Sequence, residues 1–249
     1  MKGGFRNYIM KPNKITFKVS GRYALFTDPM TKIGGEKSTL MIPTYEALKG
    51  IVEAIYWKPV LRWVVDEVKI LNSIRTERKG IRPIKYDGGN DLAYYTYLAD
   101  ISYLVTAHFE WNQAYPELSH DWNENKHFFV AKRSIAKGGR RAPFLGVREC
   151  PAYIEEAEGD EKGYYDTAGS MEFGLMFHSF SYPEQNGKEE LDALYWFPKM
   201  ENGVIRFCRQ EQCEKKVFLK KMKPKKFVDK MNYSGLREPE ILDGYEGVD

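Results

Sequence analysis

Long apolar runs are missing from this 249-residue chain, and no window approaches the roughly 18 consecutive apolar residues of a membrane span. The opening residues, MKGGFRNYIMKPNK, lack the apolar core of about 7–15 residues that marks a secretory signal, so a cytoplasmic protein with no membrane partner is expected. Cysteine is scarce. Cys150, Cys208 and Cys213 are an odd number with no CxxC spacing, which indicates neither a disulfide framework nor a zinc site and points to ordinary reduced thiols. The four histidines, His108, His120, His127 and His178, make no metal site by spacing alone. There is no P-loop, GxGxxG, HExxH or GxSxG, and no acidic cluster suited to paired divalent ions. A two-metal nuclease is therefore disfavoured, and neither a metal nor a cofactor is expected.

What the chain has is apolar and aromatic content typical of a packed core: 43% hydrophobic residues, with 5 Trp, 17 Tyr and 14 Phe. A net charge of +3 says little, but its distribution says more. Residues 125–148 carry the cations Lys126, Lys132, Arg133, Lys137, Arg140, Arg141 and Arg148 and no acid; residues 69–85 carry six cations against Glu77. Two basic segments interleaved with aromatics suit a surface that tracks phosphates, whether on RNA or non-specifically on DNA. A solvated helix face with loops explains the same charges equally well.

Periodicity orders the first part of the chain. Ile15, Phe17 and Val19 alternate in a strand over 14–20; residues 27–38 read as loop. Ala47, Leu48, Ile51, Val52 and Ile55 then recur at helical spacing, so a helix is predicted over 44–57, with Thr44 to cap it and Pro59 to stop it. VLRWVVDEVKILNSI reads as a second strand, RTERKGIRPIKYDGGN as a loop, and residues 97–111 as a third strand. Asp121 or Asn123 caps a second helix that ends at Gly138-Gly139, and a fourth strand is predicted over 144–154. Strand, helix, strand, strand, helix, strand is the α+β, ferredoxin-like (RRM-like) βαββαβ order. Beyond it, FGLMFHSFSY, DALYWF and GVIRFC read as short strands of a small antiparallel sheet, with Asn202-Gly203 a hairpin turn. The expected division is a core domain over 1–155, a small β domain over 156–230 and a mobile acidic tail over 231–249.

In that topology the C-terminus of the first helix and the N-terminus of the second lie at the same edge. This brings Tyr56, Trp57 and Lys58 towards Asn125, Lys126 and His127. An imidazole, a phenol and an ammonium beside a helix N-terminus suit cleavage of a phosphodiester, and RNA supplies its own nucleophile, the 2′-OH. The alternative, in which Tyr56 closes the core, Lys126 is solvated and His127 packs, stays open at this point.

The strings GRYALFTDPMTKIGGEKSTLMIPTYEALKGIVEAIYWKP, NENKH, RSIAKGGRRAPFLGVREC and MFHSFSYP resemble the subtype I-C (Dvulg), d variant of the CRISPR-associated Cas-five family, over residues 20–211. The resemblance implies an endoribonuclease that cuts precursor CRISPR RNA at the base of the repeat hairpin. It also implies that the protein stays on the 5′ handle as a subunit of the type I-C effector complex. It assigns the catalytic residues to Tyr56, Lys126 and His127. The basic segments then have an object: Lys137, Gly138, Gly139, Arg140, Arg141 and Arg148 are expected to bind RNA, with the glycines letting the backbone approach phosphates. A non-catalytic scaffold that binds the 5′ handle is the alternative.

Overall fold

The computed structural model describes residues 13–27, 31 and 35–224, and the predicted acidic tail lies outside them. The alternating segment forms β1 (Lys14–Ala24), with Ile15, Phe17 and Val19 buried and the intervening residues facing outwards. Burying each such side chain contributes about 1.5–3 kcal/mol. Helix α1 (Tyr45–Ile55) is capped by Thr44, whose hydroxyl accepts from the Ala47 N–H. Its buried stripe of Leu48, Ile51, Val52 and Ile55 packs on β2 (Leu61–Ile70).

RTERKGIRPIKYDGGN is not all loop. Its first part is β3 (Thr76–Ile81), which pairs antiparallel with the start of the 19-residue β4 (Ala93–Trp111). Residues 76–81 are mostly exposed and carry no apolar alternation, so the half-buried pattern that marks a strand was absent; cross-strand pairing sets the conformation instead. Helix α2 (Glu124–Ala136) follows, with Asn123 rather than Asp121 at its N-cap, accepting from the Lys126 N–H. The fourth strand predicted over 144–154 is only β5 (Tyr153–Glu156). Residues ahead of it form a folded-back loop in which the Leu145 N–H donates to the Cys150 carbonyl and the Leu25 N–H to the Leu145 carbonyl.

The main sheet runs β5-β1-β4-β2 and continues through β10 (Val204–Arg206), β9 (Lys199–Glu201) and β6 (Ser170–Glu172), with every neighbouring pair antiparallel. Asn202 and Gly203, both at positive φ, turn the predicted hairpin between β9 and β10. That hairpin pairs with β2, and β6 extends it, so the first sheet continues past residue 155. Only β7 (Met176–Ser181), β8 (Glu190–Trp196) and β11 (Lys215–Lys221) make the second, small sheet. Among the described residues no helix is long and apolar enough to cross a membrane.

Candidate active site

Helix α1 ends where Tyr56 turns to an extended conformation, and the Trp63 indole N–H holds the Tyr56 carbonyl at 2.7 Å. This sends the phenol towards the first turn of α2, where its hydroxyl lies 2.8 Å from His127 Nδ1. His127 is 0% exposed, walled by Phe109 and by Trp111, which in turn stacks on Trp122 at 5.6 Å. Its Nε2 lies 2.9 Å from the Asp121 backbone carbonyl. A carbonyl only accepts, so Nε2 carries the proton of the neutral ring and Nδ1 accepts from the Tyr56 O–H.

Lys126 sits on the opposite side of Asp121 and pairs with its carboxylate; the other carboxylate oxygen is 3.7 Å from His127 Nε2. The hydrogen bond from Lys126 holds the Asp121 carboxyl below its usual range. Burial pushes the Tyr56 phenol up to about 12, with the Asp121 charge adding to the rise and Arg140 opposing it. Tyr56 is therefore a neutral phenol at any working pH. The edge predicted from topology brings Tyr56, Lys126 and His127 together, but in layers: Lys126 is exposed, Tyr56 lies beneath, and His127 is sealed behind it. Asp121, which joins Lys126 to His127, was read only as a cap, because the 3-10 turn Pro116–Asp121 that carries it has no periodic signature.

The basic loop arrives at the same place. Gly138 and Gly139, both at positive φ, close α2 through the Ile135 and Ser134 carbonyls. The Arg140 and Arg141 N–H groups then donate to the Ala54 and Ile55 carbonyls at the end of α1. These backbone N–H groups are occupied in capping two helices, and Gly139 suits its φ of +100°, where a Cβ would be strained and would also press on the Arg141 carbonyl at 3.3 Å. The glycine N–H groups are thus taken up in closing the helix, while the side chains of Lys137, Arg140, Arg141 and Arg148 are left exposed. Arg140, Arg141 and Arg148 line a cleft of about 760 Å³ together with exposed Trp57 and Phe144, a combination of guanidinium and aromatic surface suited to nucleic acid. Replacing Arg140 and Arg141 together by Ala is expected to weaken RNA hairpin binding by on the order of tenfold and to flatten its salt dependence by about one unit of log–log slope per lost contact. A salt titration checks this; an unchanged slope would leave the pair as helix-capping residues alone.

A mixed α/β chain of antiparallel sheets and few helices, with a buried tyrosine–histidine pair beside an arginine-lined cleft, is thus defined. Residues 14–208 match the family described as CRISPR-associated protein (Cas_Cas5), variant Cas5d, and the chain belongs to that family. It is 27% identical over 221 residues to the CRISPR pre-crRNA endoribonuclease Cas5d of Mannheimia succiniciproducens, covering 78% of this chain and 94% of that one. The protein of the same name from Thermus thermophilus is 29% identical over 188 residues, 72% of this chain and 78% of its own. Two solved structures have the same fold: a CRISPR-associated protein (37% identity, TM-score 0.70, 82% of this chain and 95% of that one) and a functionally uncharacterized protein, SMU1763c, from Streptococcus mutans (38%, 0.69, 82% and 96%).

Proposed function

We propose that this chain is a metal-independent endoribonuclease that cuts precursor CRISPR RNA at the base of the repeat hairpin and stays on the 5′ handle as a subunit of the type I-C effector complex in the cytoplasm. The observation that carries the reading is the hydrogen-bonded line Tyr56–His127–Asp121 with Lys126 at its mouth; the two relatives named as pre-crRNA endoribonucleases support it. The sheet order β5-β1-β4-β2 with both helices between those strands in sequence supports a ferredoxin-like core.

The chemistry follows from the layering. The 2′-OH binds the Tyr56 oxygen; as it attacks phosphorus, its proton passes to that oxygen while the Tyr56 proton moves to His127 Nδ1. The phosphorus–5′-oxygen bond breaks, a 2′,3′-cyclic phosphate forms, and the 5′-oxygen takes a proton from solvent. His127 thus serves as the base through Tyr56, the Asp121 carboxylate faces the imidazolium that results, and Lys126 offsets charge on the phosphate. The site's single carboxylate is already paired with Lys126, which is a poor donor set for divalent ions. Cleavage is therefore expected to persist in excess EDTA and to leave a 2′,3′-cyclic phosphate and a 5′-OH; product-end analysis after chelation checks both, and loss of activity restored by Mg²⁺ would contradict the reading. The complete burial of His127 favours one rival, a scaffold that binds the 5′ handle without cutting, and the same assay separates the two.

A further inference from the structure

His178, Cys208 and Cys213 lie far apart from the cleavage residues, at the other end of α1. Cys208 comes two residues after β10 of the main sheet, His178 is on β7 of the small sheet, and Cys213 comes two residues before β11 of that sheet. One ligand atom from each gathers within 4.8 Å of the others. The two sulfurs are 3.9 Å apart. A disulfide needs about 2.05 Å, whereas two thiolates each about 2.3 Å from one tetrahedral ion stand about 3.8 Å apart. The spacing Cys208-x4-Cys213 belongs to the range used by structural zinc sites, although not to the CxxC form. A 3-10 turn, Gln210–Gln212, folds one thiol back onto the other, and the Arg209–Glu110 ion pair anchors that turn on β4.

The histidine is prepared in the same way. His178 is 0% exposed, stacked on Tyr45 at 4.3 Å and edged by Trp196 and Phe207, so its ring plane is fixed. Nδ1 is 2.9 Å from Ser179 Oγ, which also accepts from the Gln210 side-chain amide. Nε2 is turned towards Cys208, its N–H donating to the Cys208 carbonyl at 3.2 Å. When Nε2 coordinates, its hydrogen bond to the carbonyl and its proton are given up, the ring switches tautomer, and Nδ1–H donates to Ser179, the arrangement that orients metal-bound imidazoles. Both cysteines are half-buried, so the sulfur side of the cluster is not sealed from solvent.

We propose that His178, Cys208 and Cys213 bind one Zn²⁺, which clamps the small sheet to the end of the main sheet. Nitrogen with two sulfurs selects zinc over Mg²⁺ or Ca²⁺. The clamp is independent of cleavage: chelation lowers the melting temperature while RNA cutting continues.

Co²⁺ titration of the reduced full chain tests it. One equivalent is expected, with the visible bands of tetrahedral Co²⁺ and a near-ultraviolet sulfur-to-cobalt band, all removed by zinc. Cys208→Ser and Cys213→Ser each lower affinity by on the order of 100-fold or more, and Ser179→Ala, which keeps every ligand, by about 10–100-fold. Zinc raises the melting temperature of the parent and not of the double Cys→Ser variant. Octahedral spectra alone, bands that persist in both Cys→Ser variants, or a Cys208–Cys213 disulfide in the freshly reduced and refolded chain would each overturn the site.

Discussion

Tyr56→Phe and His127→Ala are each expected to slow single-turnover cleavage of the cognate repeat hairpin by about 10²–10⁴, the range for loss of a proton-transfer group, while the dissociation constant moves less than about tenfold. The phenylalanine keeps the ring in its packing but removes the hydroxyl that donates to His127 Nδ1 at 2.8 Å, the proposed proton relay. The alanine removes the proposed base and empties a box walled by Phe109 and Trp111, so circular dichroism must accompany the rate. Lys126→Ala, on an exposed side chain, offers a variant without that structural cost. Equal losses in rate and binding would make these residues RNA-holding groups.

The second large effect is one of stability. Gly146 lies at φ +86°, and a Cβ there would sit 2.1 Å from the Leu25 carbonyl oxygen, a backbone group rather than the end of a flexible side chain, with the Phe26 ring next at 3.1 Å. Gly146→Ala is expected to cost about 3 kcal/mol or more, a fall in melting temperature of about 6–12 °C for a chain of this size. The loop it belongs to buries Leu145 against β1 and carries Arg148, so RNA binding should weaken with it. An unchanged melting temperature would contradict the contact.

The edge where Tyr56 meets His127 was legible in the sequence because it follows from two helices with marked ends: Thr44 and the apolar stripe Leu48, Val52 and Ile55 in one, the capping residue before Glu124 and Gly138-Gly139 in the other. What could not be read is depth. Nothing in NENKH distinguishes exposed Lys126 from its sealed neighbour His127; that depends on Trp111 and Phe109, which come from β4 and are near only in space. Asp121 was hidden in a 3-10 turn without period, and β3 in a polar segment whose pairing partner lies beyond its own hairpin loop. The His178–Cys208–Cys213 cluster escaped for a different reason: the cysteine spacing is longer than CxxC, and the histidine comes from a strand 30 residues before Cys208. The assignment of β9 and β10 to the main sheet was likewise invisible, since a hairpin cue fixes a turn but not the strand it joins.

The account turns on whether RNA supplies the nucleophile to a site built around Tyr56. The most direct measurement is single-turnover cleavage, in excess EDTA, of two repeat hairpins that differ only in a 2′-deoxy nucleotide just 5′ of the scissile phosphate. The all-ribose hairpin is expected to be cut and the deoxy one to remain intact while binding with the same affinity. Cleavage of both at one rate would contradict the proposed mechanism.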